Sequence, residues 1–297
     1  MTIDQYADVN GVRLHYVTEG SGALMLFLHG FPEFWYAWRE QLRAFGREYQ
    51  AVAVDMRGYN RSSKPADLDA YQMPALVEDI HALIAHLGHT TCTLVGHDWG
   101  GVVAWSFARA HPECLDRLVI INAPHGAIFA RELRENPAQQ QASQYMLAFR
   151  NPGMEQRLAA NDCALLSQMA LVPPEAFTDE DRAAYRAAWT QPGALTGGLN
   201  YYRASGIGPP TGEAGDRSHR TPRATAPVID VPTLVIWGEK DTALLTGNLD
   251  GLDQYVTNLT VHRIPDGSHW VVHEFPDQIN ETIRAFIAAT PGVAAKA

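Results

Sequence analysis

Cysteine is scarce in this sequence, with three residues in 297: Cys92, Cys114 and Cys163. A scattered, odd-numbered set builds neither a disulfide framework nor a zinc knuckle, so all three are expected to be reduced and structural. Long apolar runs are missing too. The longest covers residues 23–28, far short of a bilayer span, and the opening MTIDQYADVN has no apolar segment, which points to a cytoplasmic protein with no membrane partner. No basic cluster offsets the formal net charge of -10, so nucleic acid is not expected as a partner. There is no internal repeat and no HExxH motif. Among the twelve histidines, His269 and His273 stand four apart with no further ligands beside them, so no metal is expected.

What the chain does have is a regular alternation of short apolar runs and helical patterns. Residues 24–28, 51–55, 91–95 and 118–122 read as buried strands, and 34–45, 74–87 and 102–110 as the intervening helices. An Asn10-Gly11 turn precedes an amphipathic edge strand at 12–17. Strands return at 233–237 and 259–264, and a helix at 276–288 closes the pattern. This order predicts an α/β fold with a mostly parallel central sheet covered by helices on both faces. Strand signals vanish between 123 and 227, where prolines interrupt helical stretches. Residues 1–123 and 227–297 are therefore assigned to the core and 124–226 to an inserted helical cap. Within that cap, 206–226, dense in Gly, Pro, Arg and Thr, is expected to be a mobile return.

The chemistry centres on Gly96-His97-Asp98-Trp99-Gly100, between the strand 91–95 and the helix 102–110. Its spacing is that of the G-x-S-x-G nucleophile elbow of α/β-hydrolases, with Asp where Ser is usual. Glycines two positions to either side make room for a strained turn, and Asp98 is set at a helix N-terminus that favours negative charge. Alone, the pattern reads equally well as an ordinary helix N-cap. Chain order separates the two readings. Asp98 is followed by Asp241, just past the strand 233–237, and by His269, just past 259–264, which is the nucleophile-acid-base order of α/β-hydrolases. Asp241 would hold one ring nitrogen of His269 and leave the other free to take a proton.

Asp in place of Ser changes the substrate. A carboxylic acid with an ordinary pKa near ~3.9 is ionised at pH 7 and needs no base to become a nucleophile. Its attack on an ester carbonyl would give an anhydride, whereas attack on a saturated carbon gives an ester that water can cleave. The expected substrate therefore has an electrophilic sp³ carbon, in an epoxide or an alkyl halide. An epoxide oxygen needs an acid; a halide needs only hydrogen-bond donors.

Six segments together narrow the choice: HGFPE at 29–33, DxRGxxxS at 55–62, GHDWGG around Asp98, NYYR at 200–203, GEKD ending in Asp241, and SHW around His269. With them the chain resembles, over nearly its full length, the epoxide hydrolases of the α/β-hydrolase superfamily. The resemblance implies Tyr145 and Tyr202 as cap acids. In that family one tyrosine lies shortly before a Phe-x-x-Pro-Gly segment, and the other directly before the Arg of an Asn-aromatic-Tyr-Arg motif. Tyr201 and Tyr202 point about 100° apart on a helix, so both cannot face the same oxygen. The resemblance also implies an oxyanion hole from the backbone N–H groups of Phe31 and Trp99, no cofactor, and a small epoxide as the partner of a monomer or homodimer. The family commonly has Gly where Asn60 stands, but Asn tolerates the left-handed conformation this requires.

Two rival readings remain. Haloalkane dehalogenases share the Asp nucleophile and often a Trp after it, but frequently carry a polar halide donor where Phe31 stands and have no use for paired cap tyrosines. Relatives acting on haloacetates usually have an Arg after the nucleophile, where this chain has Trp99, Gly100 and Gly101. A hydrolase fold used only for binding could lose a catalytic group without harm, yet every expected type is present here.

Overall fold

Leu24, Leu26 and Leu28 pack into the apolar core on one side of their strand, Met25 and Phe27 into that on the other, and all five are buried. A strand covered on both faces in this way belongs in the middle of a sheet with helices above and below. The computed structural model describes residues 3–211 and 228–290. It contains the strands β1 (Ile3–Val9), β2 (Val12–Glu19), β3 (Leu24–Leu28), β4 (Gln50–Val54), β5 (Cys92–His97), β6 (Leu115–Ile121), β7 (Thr233–Gly238) and β8 (Leu259–Ile264). The helices around the first six strands are α1 (Arg39–Phe45), α2 (Met73–His86) and α3 (Trp99–Ala110). Between β6 and β7 lie α4 (Gly126–Glu135), α5 (Pro137–Ala142), α6 (Gln144–Arg150), α7 (Met154–Ala170), α8 (Asp179–Trp189) and α9 (Ala194–Ser205). The short α10 (Val271–Glu274) and α11 (Pro276–Ala289) follow β8.

The sheet order is β1-β2-β4-β3-β5-β6-β7-β8, antiparallel at β1-β2 and β2-β4 and parallel from β4 to β8. From β3 the chain winds outward first to β4 and then, through β5, in the opposite direction. The carboxyl ends of β3 and β5 therefore flank the point where the winding reverses, the place where such sheets present loops to ligands. Leu28 pairs with Gly96 there, so the loops after these two strands leave side by side.

Two sequence expectations change. The edge strand is β1, which the polar look of the N-terminus concealed, while 12–17 belongs to β2, inside the sheet and buried along most of its length. His15 tolerates burial there because its Nδ1 bonds Asp55 Oδ2 at 2.6 Å and its Nε2 bonds Asp4 Oδ1 at 3.1 Å. The helical stretch 34–45 is a 3₁₀ turn, Trp35–Trp38, that runs into α1. The expected mobile return lies outside the described residues from 212 to 226. Among the described residues, no helix is long and apolar enough to cross a membrane.

Candidate active site

The sheet register gathers the polar residues. Ile121 pairs with Ile236, and Gly238 with Ile264, so the segments carrying Asn122, Asp241 and His269 emerge next to one another, beside the loop after β5. Asp98 ends that loop as the N-cap of α3, with φ 50° and ψ -123°, a conformation costly for any residue with a Cβ. Its flanking glycines are needed for contact reasons. A Cβ on Gly96 would lie 2.5 Å from Gly100 O, and one on Gly100 would lie 2.2 Å from Leu28 O.

The loop after β3 approaches Asp98 from the other side. The Phe31 N–H donates to Asp98 Oδ1 at 2.8 Å. That N–H is aimed by its own peptide plane. His29 accepts at Nε2 from the Met56 N–H (3.1 Å), so its Nδ1–H donates to the Gly30 carbonyl at 2.8 Å, fixing the Gly30-Phe31 peptide. Burial lowers the His29 pKa, which keeps the ring neutral for this role. Trp99 is the first residue of α3, where a backbone N–H has no partner within the helix.

His269 faces Asp98 from the third side. Its Nε2 is 3.7 Å from Asp98 Oδ2, and its Nδ1 bonds Asp241 Oδ2 at 2.7 Å. Asp241 is buried and fully occupied: Oδ1 accepts from the N–H groups of Ala243 (2.8 Å) and Leu244 (2.9 Å), and Oδ2 also accepts from Asn122 Nδ2 at 2.8 Å. Burial alone would raise the Asp241 pKa, but the His269 charge and these donors outweigh it, so the carboxyl is held below its ordinary value. For His269, burial opposes the charged ring, while Asp241, Asp98 and Glu33 favour it, and the pKa is raised to about 9. The resting ring is an imidazolium between two carboxylates at neutral pH.

Behind Asp98, Asp241 and His269 lies a buried node around Glu33. Its Oε1 accepts from His273 Nε2 at 2.5 Å and from the Tyr185 hydroxyl of α8 at 3.0 Å, and its Oε2 is 3.4 Å from His97 Nδ1. Burial disfavours the Glu33 charge but is outweighed by His273 and His97, which hold the carboxyl well below the usual range. His97 in turn donates from Nε2 to the His269 carbonyl at 2.9 Å. One carboxylate thus ties the β3 loop, the elbow, the histidine loop and the inserted helices together.

Tyr145 on α6 and Tyr202 on α9 meet above Asp98, their rings 6.2 Å apart at 78°. Burial and then the Asp98 charge push both hydroxyls well above the ordinary tyrosine pKa, so both carry their protons. The Trp99 and Tyr202 rings meet edge-on at 5.2 Å, and a hydrogen bond from the Trp99 side chain works against the Tyr202 shift. Tyr201 turns away and donates its hydroxyl to the Arg57 carbonyl at 2.8 Å. Phe31 packs between Phe149 and Tyr202, at 5.2 and 5.5 Å.

All seven sequence-predicted site residues, Phe31, Asp98, Trp99, Tyr145, Tyr202, Asp241 and His269, converge on this one place. Sequence reasoning passed over Asn122, Glu33, His97 and His273. Asn122 stands just past β6 with φ 40°, and an Asn at the end of a buried strand was the available signal. Nothing local marks the Glu33 node, because its four members come from four separate segments. Asn60 does adopt the left-handed conformation, with φ 39°, and its amide also donates to Asp55 Oδ2 at 2.7 Å.

Known proteins resemble this chain over most of its length. Residues 23–276 match the alpha/beta hydrolase fold family. "Epoxide hydrolase 4" of Mus musculus is 37% identical over 291 residues, covering 94% of this chain and 77% of its own. "Epoxide hydrolase 1" of Caenorhabditis elegans is 36% identical, covering 95% of this chain and 70% of its own. An epoxide hydrolase of Bacillus megaterium, solved as a variant complexed with its product (R)-3-[1]naphthyloxy-propane-1,2-diol, superposes with a TM-score of 0.89 at 38% identity, covering 96% of this chain and all of that one. On sequence, fold and these relatives, the chain belongs to the epoxide hydrolases of the alpha/beta hydrolase superfamily.

Proposed function

We propose that the protein hydrolyses epoxides through a covalent ester on Asp98. An Asp98 carboxylate oxygen attacks one ring carbon and the C–O bond of the epoxide breaks. Tyr145 and Tyr202 hydrogen-bond the departing oxygen, and one of them delivers its proton. The product of this step is a hydroxyalkyl ester. Esterification removes the Asp98 charge that helps hold the His269 proton, so the ring's pKa falls, its proton passes to the tyrosinate left by ring opening, and the ring is neutral when a base is next needed. It then takes a proton from water, the resulting hydroxide attacks the Asp98 carbonyl carbon, and the Phe31 and Trp99 N–H groups hold the oxyanion. In the collapse the departing alkoxide takes the proton of the added hydroxyl, which releases a vicinal diol and restores the Asp98 carboxylate and the His269 imidazolium. Asp241 orients the imidazole throughout, and residues 124–226 act as the cap that carries the tyrosines over the nucleophile.

The observation that carries this reading is the pair of protonated tyrosines above Asp98. A halide leaving group would have no use for them. The Bacillus megaterium relative's aryloxy diol product suggests an aryl glycidyl ether as a first substrate.

Intact-protein mass spectrometry of His269→Gln tests the proposal, because losing the base traps the ester. Mixing with naphthyl glycidyl ether should add the mass of the whole epoxide, mapped to the Asp98 peptide. No adduct, or one elsewhere, refutes the ester mechanism; an alkyl adduct from a primary haloalkane alone would establish a dehalogenase.

A further inference from the structure

Away from the active site, α2 and the end of α3 bring together two histidines and a carboxylate that no step above uses. Glu78 and His81 stand one turn apart on α2, and His111 is the residue that ends α3. Glu78 Oε1 is 2.7 Å from His111 Nε2 and Glu78 Oε2 is 3.4 Å from His81 Nδ1. The two rings stack at 4.1 Å and 15°, and one ligand atom from each of the three side chains lies within 4.8 Å of the others. On its far side, His111 Nδ1 is 3.6 Å from Glu113 Oε1.

The geometry points to a divalent transition-metal site, of the kind that takes zinc, held by Glu78, His81 and His111 with Glu113 supporting from behind. Both nitrogens of His111 face a carboxylate, Nε2 toward Glu78 at 2.7 Å and Nδ1 toward Glu113 at 3.6 Å. With a cation on Nε2, Nδ1–H donates to Glu113, the arrangement by which carboxylates orient metal-bound histidines, and the Nε2 lone pair and Glu78 both face the ion. Two imidazoles and one carboxylate suit zinc better than magnesium, which prefers an all-oxygen shell with several waters. Bond lengths of about 2.0–2.2 Å to zinc require the His81 ring to swing out of the stack. Its 42% exposure leaves room for that rotation. The net charge of -10 favours any cation. The twelve residues of α3 rise about 18 Å between Asp98 and His111, so this site would clip α2 to α3 without touching the chemistry.

Calorimetric titration of the full chain, stripped of metal and carrying His269→Gln so that the triad histidine cannot compete, is the test. Zinc chloride should bind with one equivalent at micromolar affinity, and magnesium chloride should give no binding. His81→Ala or Glu78→Gln, each added to that background, should weaken this equivalent tenfold or more. Each placed alone in the otherwise wild-type chain should leave epoxide turnover unchanged, which shows that the fold is intact. Absence of a zinc equivalent, or its persistence at full affinity in both variants, overturns the site. Because the readout is binding heat, the result does not depend on whether the proposed reaction is right.

Discussion

At the scale of single residues, the site is built by excluding atoms as much as by placing them. Gly30 illustrates this. Its neighbour Phe31 supplies the N–H that meets Asp98, and the close approach leaves no room at position 30: a Cβ there would lie 2.2 Å from Asp98 Oδ1 and 2.3 Å from Asp98 Cβ. Gly30→Ala must therefore either push the Asp98 side chain aside or withdraw the Phe31 N–H. Displacements near 1 Å of a reacting group cost roughly 10²-fold in rate. We expect kcat/KM for an aryl glycidyl ether to fall by about that factor, with the far-UV circular dichroism unchanged. Turnover within about twofold of the parent would mean that Asp98 is not the attacking group, or that the Phe31 N–H does not need its observed place.

At the scale of elements, the question is how helices between β6 and β7 hold two hydroxyls steady over Asp98, which stands at the carboxyl edge of the sheet. Tyr202 inherits its position from α9, and α9 is seated on the core at two points. Gly197 lies against Gly58, where an added Cβ would stand 2.1 Å from the Gly58 carbonyl oxygen, and the Tyr201 hydroxyl donates to the Arg57 carbonyl. Backbone contacts this close cannot yield as a flexible side chain would. Gly197→Ala should therefore lift this part of α9 and carry Tyr202 away from Asp98. On the proposed mechanism, the expected outcome is a loss of tenfold or more in the rate of ester formation, read by rapid quench, while ester hydrolysis, assigned there to His269, keeps its rate. An equal loss in both steps would show that α9 does not act through Tyr202.

This seating also shows where sequence reasoning stopped. The Asp98 elbow, Asp241 and His269 were legible because each lies in a local pattern at a strand end and their order carries information. That Tyr202 faces Asp98 while Tyr201 turns away was legible through helical geometry joined to the family motif. Contacts between distant segments left no such trace: Gly197 against Gly58, or Glu33 drawing in His97, Tyr185 and His273, are fixed by tertiary packing and have no periodicity. β1 escaped for a related reason. Its residues are mostly exposed, so an edge strand showed little of the apolar alternation that marks the others.

At the scale of the whole molecule, buried histidines set how stability depends on pH, and they act in opposite directions. Burial, with Arg109 nearby, lowers the His125 pKa to about 4, and burial lowers that of His29. Both rings are neutral in the folded protein and take a proton on unfolding, so their contribution is present above the ordinary value of 6.5 and is lost as pH falls below it. Asp241 and Glu33, held below their ordinary values, deepen the loss at more acidic pH. His269 behaves in the opposite sense. Raised to about 9, it favours the folded state fully below 6.5, and that contribution disappears as pH climbs from 6.5 through 9. The two limbs meet near 6.5, where the melting temperature should peak. Replacing His269 with Gln should flatten the fall between pH 6.5 and 9 while leaving in place the upper part of the acid limb, from 6.5 down to about 4, which His29 and His125 set. Scanning calorimetry of both proteins from pH 4 to 10 measures this directly. A parent melting temperature that keeps rising above pH 7, or an alkaline fall of the same size in His269→Gln, would show that the imidazolium between Asp98 and Asp241 does not contribute to holding the fold together.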